Sequence, residues 1–375
     1  MDFAFSEEQE EFRATLRRFC EAKAPPAERL RLSETPEGFD REVWKQLAGE
    51  LGLAGLAVPE ALGGQGFGFL ELGIALEETG RTLFPAPLLV HSLATRAVLH
   101  AGSDAQRRAL LPALAAGAEI ATLAVVETSG GWRAEDTALV ARAEGGHVRL
   151  DGEKPFVVDA HVADRLVVTA RLPGTSGGDG LVLCTIPSRA PGVRVTPLEA
   201  MDPLRRQARV AFDGASAEPL GEPGAAGPAL ARVLAEAAIA LAAEMVGGAE
   251  RCLEAAVAYA KQRVQFARPI GSFQAVQHKA AEVLLELELA RSAAWWACWV
   301  ADEEGPELAE AAHVAKSVCG DAYRRAAAEN VQIHGGIGFT WEHEAHLHVK
   351  RALTDDTLFG DATTHRAALA RHLGF

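Results

Sequence analysis

The chain lacks what would tie it to nucleic acid, to a membrane or to an oxidising compartment. Its 375 residues hold 37 Lys and Arg against 51 Asp and Glu, for a formal net charge of −14, and no basic block interrupts them. Phosphate backbones are held by clustered Lys and Arg, so nucleic acid is not an expected partner. Small anionic ligands remain open, because a few local arginines suffice for them. No apolar run approaches the ~20 residues that a membrane helix needs. The N-terminus, Met1-Asp2-Phe3-Ala4-Phe5-Ser6-Glu7-Glu8, is acidic and has no basic flank ahead of an apolar core, so no signal or transit peptide is expected. Cysteine is sparse. Cys20, Cys184, Cys252, Cys298 and Cys319 are far apart, odd in number and without CxxC or zinc spacing. Reduced thiols in a cytoplasmic protein are the expectation.

Hydrophobic residues make up 49% of the chain, enough for sizeable cores, and the length exceeds what one core usually serves, so two or three subdomains are expected. Residues 1–118 read as helices. Ser6 stands before an acidic first turn, Phe12, Leu16 and Phe19 recur at helical spacing, and Pro25-Pro26 breaks the pattern. Residues 119–225 change to short β-rich runs, among them Ala138 to Ala143, His147 to Leu150, Arg165 to Ala170, Leu181 to Ile186 and Arg209 to Phe212. Gly145-Gly146 sits at hairpin spacing, and no helical pattern separates the runs, so an antiparallel barrel or sandwich is expected. Residues 226–375 return to long helical periods, Leu230 to about Gln265, Phe273 to about Glu303 and Glu307 to about His334, which predict a bundle. The fold class is thus α+β and multidomain.

The last long helix runs into Gln332-Ile333-His334-Gly335-Gly336-Ile337-Gly338-Phe339. Three glycines in four residues end a helix and leave bare backbone, where a phosphate or nucleotide is the usual guest. His343, His346 and His348 lie close together in sequence, but helix packing and hydrogen bonding account for them better than a metal does, and no metal is expected. Trp295, Trp296 and Trp299 read as core or interface, and Arg205 and Arg206 as structural ion pairs.

Several segments together resemble the acyl-CoA dehydrogenase family over essentially the whole chain. Phe5-Ser6-Glu7-Glu8-Gln9 is similar to the family's opening, and Val58-Pro59-Glu60 with Leu62-Gly63-Gly64-Gln65-Gly66 to its PE-x-x-GG-x-G loop. Gly152-Glu153-Lys154-Pro155-Phe156-Val157-Val158 resembles its G-x-K-x-W-I-T segment. Arg263-Val264-Gln265-Phe266-Ala267-Arg268-Pro269-Ile270 matches its R-x-Q-FG-x-P-I run, and Gln332 to Phe339 its Q-x-x-GG-x-G-F.

The resemblance implies an N-terminal helical domain, a middle β domain and a C-terminal four-helix bundle. It also implies one FAD per subunit, held between the β domain, the bundle and a neighbouring subunit of a tetramer or dimer. The implied reaction converts an acyl-CoA to its trans-2-enoyl-CoA. A carboxylate takes the α-proton, the flavin takes the β-hydride, and an electron-transfer flavoprotein receives the electrons. By the same carry-over, Arg263 would contact the FAD pyrophosphate from the neighbouring subunit, with Gln265 in the same run. Phe266 would lie against the adenosine, and Gln332, Gly335 and Gly336 would receive the ADP moiety. Val126, Glu127 and Thr128 would run along the flavin beside Phe156 and Val158. Phe156 replaces the usual tryptophan, and Val158 the usual threonine or serine. Gly131 is followed by Trp132-Arg133 where the family carries G-S-D.

The catalytic base is the main departure from the family. Phe359-Gly360-Asp361-Ala362-Thr363 stands where most members have Y-E-G-T, so Gly360 occupies the glutamate position. The alternative position on the first bundle helix, counted back from Tyr259 and Arg263, is Ala237. Asp361 and Glu236 lie one residue away, and Asp361, in a loop, is the candidate base. Glu244 reads as a buried structural carboxylate. Three functions are therefore open: an FAD-dependent acyl-CoA dehydrogenase with an unusual base, an FAD-holding partner subunit of a heteromeric dehydrogenase like those of bacterial sterol side-chain degradation, or a desulfinase-like offshoot needing no α-proton base. The small residues at 237 and 360 point to a wide substrate, branched or ring-bearing.

Overall fold

The structure, a computed structural model, describes residues 5–303 and 305–375. Met1 to Ala4 of the N-terminal reading lie outside the described residues. Helices come first: α1 (Glu7–Lys23), α2 (Pro26–Ser33), α3 (Arg41–Lys45), α4 (Phe69–Arg81), α5 (Leu88–Ala101) and α6 (Asp104–Ala115). Seven strands follow: β1 (Ala121–Ala124), β2 (Val140–Glu144), β3 (His147–Val158), β4 (Arg165–Arg171), β5 (Leu181–Pro187), β6 (Val193–Pro197) and β7 (Gln207–Pro219). After these come α7 (Gly227–Gln262), a small hairpin of β8 (Val264–Gln265) and β9 (Arg268–Pro269), α8 (Gln274–Glu303), α9 (Leu308–His334), α10 (Ala345–Thr357) and α11 (Ala362–His372). Among the described residues, no helix is long and apolar enough to cross a membrane.

The chain forms two compact units. One comprises residues 1–31, 69–84 and 238–375, and the other residues 32–68 and 85–237. The N-terminal helical segment is therefore shared between the two rather than standing alone.

In the first unit, α1 begins with a capping box between Ser6 and Gln9, and Arg17 clamps the fully buried Glu78 of α4 with bonds of 2.9 and 2.7 Å. Helices α4 and α7 cross backbone to backbone. A Cβ on Gly80 would lie 2.1 Å from the Glu244 carbonyl oxygen, and one on Gly247 would lie 1.8 Å from that of Glu77. Only glycine permits so close an approach. Arg81 and Arg291 each reach Glu250 at 2.9 Å, and Arg351 reaches Glu244 at 2.9 Å, so the interior carboxylates of the bundle are ion-paired. Trp295 donates its indole N–H to Glu77 at 3.1 Å.

In the second unit the strands close on themselves in the order β4-β2-β3-β7-β5, with β5 returning to β4; β1 lies beside β4, and β6 pairs β7. The expectation of a purely antiparallel barrel needs correction, because β1 and β2 both run parallel to β4. Parallel pairing requires a long connection: residues 125–164 join β1 to β4, and residues 145–164 join β2 to β4. The Gly145-Gly146 hairpin forms as expected, with φ of 57° and 86°. His91 of α5 ties this barrel to its helices. Its ring accepts from the Ala121 amide at 3.2 Å and donates to the Leu114 carbonyl at 3.0 Å, and burial lowers its pKa to about 4, so it is neutral. All five cysteines are buried and unpaired; burial pushes the Cys20 and Cys184 thiols up to about 12.

Candidate flavin and acyl-CoA site

On the helical unit, α9 ends at Gly335, whose φ of 65° and ψ of −141° fall in a region essentially reserved for glycine. A Cβ on Gly335 or Gly336 would meet nothing within 4 Å, so this backbone faces open space. Gly338 differs, since its Cβ would press on Val331 and His334 at 3.1 Å. Gln332 is exposed and Phe339 is 79% exposed. The corner is held from behind by His334, whose ring bonds the Asn330 carbonyl at 2.8 Å and stacks between Tyr259 and His343 at 4.3 and 4.2 Å.

The β8–β9 hairpin turns on Phe266 and Ala267 with φ of 53° and 65°, a left-handed pair that hairpins normally give to glycine or asparagine. Phe266 is nonetheless 87% exposed, with the Phe273 ring edge-on at 6.2 Å between centroids. Strained non-glycine turns that present a large bare aromatic cost free energy and mark binding surfaces. Arg263, at the base of the same hairpin, is exposed, and among the described residues its side chain makes no ion pair or hydrogen bond. A guanidinium fork, an open aromatic ring and a glycine corner that leaves room for close approach together suit an adenine dinucleotide, so this side of the expected FAD site fits its ligand.

On the barrel unit, a register shift in β3 between Lys154 and Val157 leaves Pro155 and Phe156 outside the ladder and turns Phe156 outward, 48% exposed. Below it, the wholly buried Lys154 ammonium donates to the Val125 carbonyl at 3.0 Å and the Thr169 hydroxyl at 2.9 Å, and pairs with the Glu127 carboxylate. Burial lowers the Lys154 pKa, with Glu127 opposing. The Glu127 side chain is therefore an internal partner of Lys154, and its carbonyl accepts from the Gly130 amide at 2.8 Å while its N–H donates to the Gly131 carbonyl at 3.4 Å. Thr128 is exposed. Val158 is buried, and its carbonyl accepts from the Thr122 hydroxyl at 2.6 Å. The loop of Gly63, Gly64 and Gly66 folds onto Val58, where a Cβ on Gly64 would lie 2.1 Å from the carbonyl oxygen, so these glycines serve packing.

Neither base position holds a carboxylate, and the adjacent carboxylates are committed elsewhere. Ala237 is fully buried. Its neighbour Glu236 accepts from Arg96 at 2.8 and 2.5 Å, His100 at 2.9 Å and Arg232 at 3.0 Å; these partners overcome its burial and hold its pKa far below the usual carboxylate range. Asp361 caps α11, accepting from the Thr364 amide at 2.7 Å, and hydrogen bonding from Thr364 lowers its pKa. A general base is favoured by the opposite shift, and the structure places Asp361 as a helix cap.

Gly360, with φ of +97°, is part of a tight turn gripped from inside. The buried Lys316 ammonium donates to the Gly360 carbonyl at 2.7 Å and the Asp356 carbonyl at 3.0 Å. His365 bonds the Phe359 carbonyl at 2.9 Å and His313 at 2.9 Å. Burial lowers Lys316 to about 8 and His365 to about 4.

Lys316 and Lys154 were not assigned roles from sequence. A lone lysine among the alanines of α9 is the signal that could have marked Lys316. The histidines of 343–348 have separate surroundings: His343 on His334, His346 edge-on to Trp341 at 4.6 Å, and His348 against the Tyr323 hydroxyl at 2.9 Å. Arg206 bonds the Ser33 and Pro36 carbonyls at 2.6 and 2.9 Å, latching a loop where an ion pair was expected.

Comparisons with known proteins agree with this architecture. Domain models of the acyl-CoA dehydrogenase family match three successive parts of the chain: the N-terminal domain over residues 6–118, the middle domain over 122–215 and the C-terminal domain over 228–374. The chain is 36% identical over 348 residues to acyl-CoA dehydrogenase IpdE2 of Mycobacterium tuberculosis, covering 92% of this chain and 91% of that protein. Among solved structures it is similar to a steroid ACAD variant, with a TM-score of 0.90, 30% identity and 98% of each chain covered. It is also similar to a chain of the ChsE4-ChsE5 complex from Mycobacterium tuberculosis, with a TM-score of 0.90, 28% identity and coverage of 100% and 99%. The chain therefore belongs to the acyl-CoA dehydrogenase family, whose enzymes are FAD-dependent oxidoreductases.

Proposed function

We propose that this chain is the FAD-holding, base-lacking subunit of a heteromeric cytoplasmic acyl-CoA dehydrogenase, and that a sister chain supplies the carboxylate for α,β-dehydrogenation of the thioester. The observation that carries the reading is the committed state of every carboxylate at or next to the two base positions: Gly360 and Ala237 have none, Asp361 is a cap, and Glu236 is locked among three cationic or hydrogen-bonding partners. Removing an α-proton beside a thioester requires a base within hydrogen-bond reach and of raised pKa. The pKa values of Asp361 and Glu236 are shifted the other way. The resemblance of the fold to a steroid ACAD and to the two-component ChsE4-ChsE5 complex supports an assembly of unlike chains and a ring-bearing or branched acyl group.

When bound, FAD supplies the acceptor for the β-hydride. On the helical unit, Arg263 would bind the two phosphates with its planar fork, Phe266 would cover the adenosine, Gln332 would offer its side-chain amide, and Gly335 and Gly336 would let the ligand approach closely, with Gln265 beside them. On the barrel unit, Phe156 would exclude water from the flavin edge, and the segments of Glu127, Thr128 and Val158 would border its polar rim. Lys154 holds that segment against β3 and β4. The electrons would leave to an electron-transfer flavoprotein.

Co-expression with a second family chain that retains the glutamate tests the reading. The co-purified pair is expected to oxidise acyl-CoA in the presence of a flavoprotein acceptor, and to lose that activity when the sister's glutamate becomes glutamine. Full activity of a pair carrying that substitution would overturn it.

A further inference from the structure

The glycine corner is assembled around one buried ring, that of His334 at the end of α9. Its Nδ1–H donates to the Asn330 carbonyl at 2.8 Å, one turn back on the same helix. Tyr259 of α7 and His343 pack against the ring, with centroids 4.3 and 4.2 Å away. The corner itself closes over the side chain, because a Cβ on Gly338 would lie 3.1 Å from the His334 Cβ.

These contacts join the pieces of the expected dinucleotide surface. Tyr259 stands one helical turn before Arg263, whose amide donates to the Tyr259 carbonyl at 2.8 Å. His334 directly precedes Gly335 and Gly336, and His343 lies just beyond the corner. The row of three rings therefore couples the base of the Arg263 hairpin to the open glycines. The far end of the row is anchored. The His343 Nδ1 accepts from the Ala345 amide at 3.1 Å, which leaves the ring proton on Nε2, and burial lowers the His343 pKa, so the ring is neutral at pH 7 and does not repel its neighbour. Next to it, the largely buried Glu344 carboxylate accepts from Arg251 of α7 at 2.9 Å and pairs with Arg29 of α2. Arg29 also donates to the Thr82 carbonyl. A pair of adjacent glycines loses much backbone freedom when a ligand orders it, and support from behind lowers that cost in advance.

We propose that His334 is a positioning residue: its ring, held by Tyr259 and His343, fixes the glycine corner relative to Arg263 for an adenine dinucleotide. The inference rests on FAD binding at this corner, as proposed above. The test is fluorescence titration of the apoprotein with FAD, alongside the apoprotein's melting temperature. His334→Leu keeps apolar bulk but removes the ring, and is expected to weaken FAD roughly tenfold; Tyr259→Leu should weaken it about fivefold. The ring-retaining variants His334→Phe and Tyr259→Phe should stay within about threefold of the wild type. Tyr259 is half-buried and probes the same row from its more accessible end, so the test stands even if a His334 variant fails to fold. Arg263→Ala, run in parallel, reports on a direct ligand contact and should also weaken FAD. Unchanged affinity in both leucine variants, with Arg263→Ala still weakened, would overturn this inference alone. Equal losses in the leucine and phenylalanine variants, or losses that simply follow the melting temperature, would make the row a structural element and overturn it too. If Arg263→Ala also left FAD binding unchanged, the placement of FAD at this corner would fail, and the inference with it.

Discussion

Two glycine turns in the same unit, one after α9 and one after α10, are built for opposite purposes. At Gly335-Gly336 the backbone faces open space, although the Gly335 amide closes the helix on the Val331 carbonyl, and an exposed aromatic stands on the neighbouring hairpin. At Gly360 the backbone also has positive φ, but its carbonyl is taken by a buried ammonium and its flank is filled by His365, whose Nε2 lies 3.2 Å from where a Cβ would stand. The first turn leaves space for a ligand. The second has spent its capacity on the protein, at the position where most of the family carries the base. The contrast is what the proposed division of labour expects, with the cofactor held here and the base supplied by a sister chain.

The contrast can be broken most forcefully at the open turn. Replacing both Arg263 and Phe266 with alanine should weaken FAD on the order of a thousandfold, by flavin fluorescence titration, while thermal stability holds or rises as the strained aromatic is removed. At the closed turn, Lys316→Met leaves two buried carbonyls without their donor and should cost about 1–3 kcal/mol in urea unfolding at pH 7.

The pH dependence sharpens that result. The folded-state pKa of Lys316 is lowered to about 8 from 10.5, so between those values the unfolded chain binds more protons than the folded one. Wild-type stability from this group therefore rises as pH climbs from 8 towards 10.5, and Lys316→Met should lack that rise.

A paired glycine substitution gives a smaller effect. Gly360→Ala should cost about 1–2 kcal/mol, since L residues disfavour positive φ and His365 must yield, whereas Gly336→Ala should leave stability within about 0.5 kcal/mol and weaken FAD. Gly360→Glu suffers the same strain and should not restore a base. Asp361→Asn, which keeps a good cap, should change neither stability nor flavin reduction in the assembled enzyme by a measurable amount.

Much of the fold was legible because its signals are local. The capping hydroxyl of Ser6, the Pro25-Pro26 break and the Gly145-Gly146 hairpin each act over a few residues, and the long helices fell within a few residues of their expected ends. The parallel pairing of β1 and β2 with β4 was not legible, because register over a long crossover is set by tertiary contacts. Two short strands, β1 and β6, carried too little alternation to stand out. At the site, exposed residues such as Arg263 and Phe266 could be named from their motifs. Lys316 could not, because its role depends on bringing a mid-helix side chain beneath a turn 44 residues away. Asp361 looked uncommitted from sequence, but it accepts a capping bond from an amide three residues on.

Anaerobic titration of the purified, FAD-loaded chain with a branched or ring-bearing acyl-CoA tests the separation of cofactor and base most directly. The oxidised flavin absorbance should persist with the chain alone and bleach once a glutamate-bearing sister chain is added. Bleaching by the lone chain at a comparable rate would mean that it carries its own base and would contradict the account.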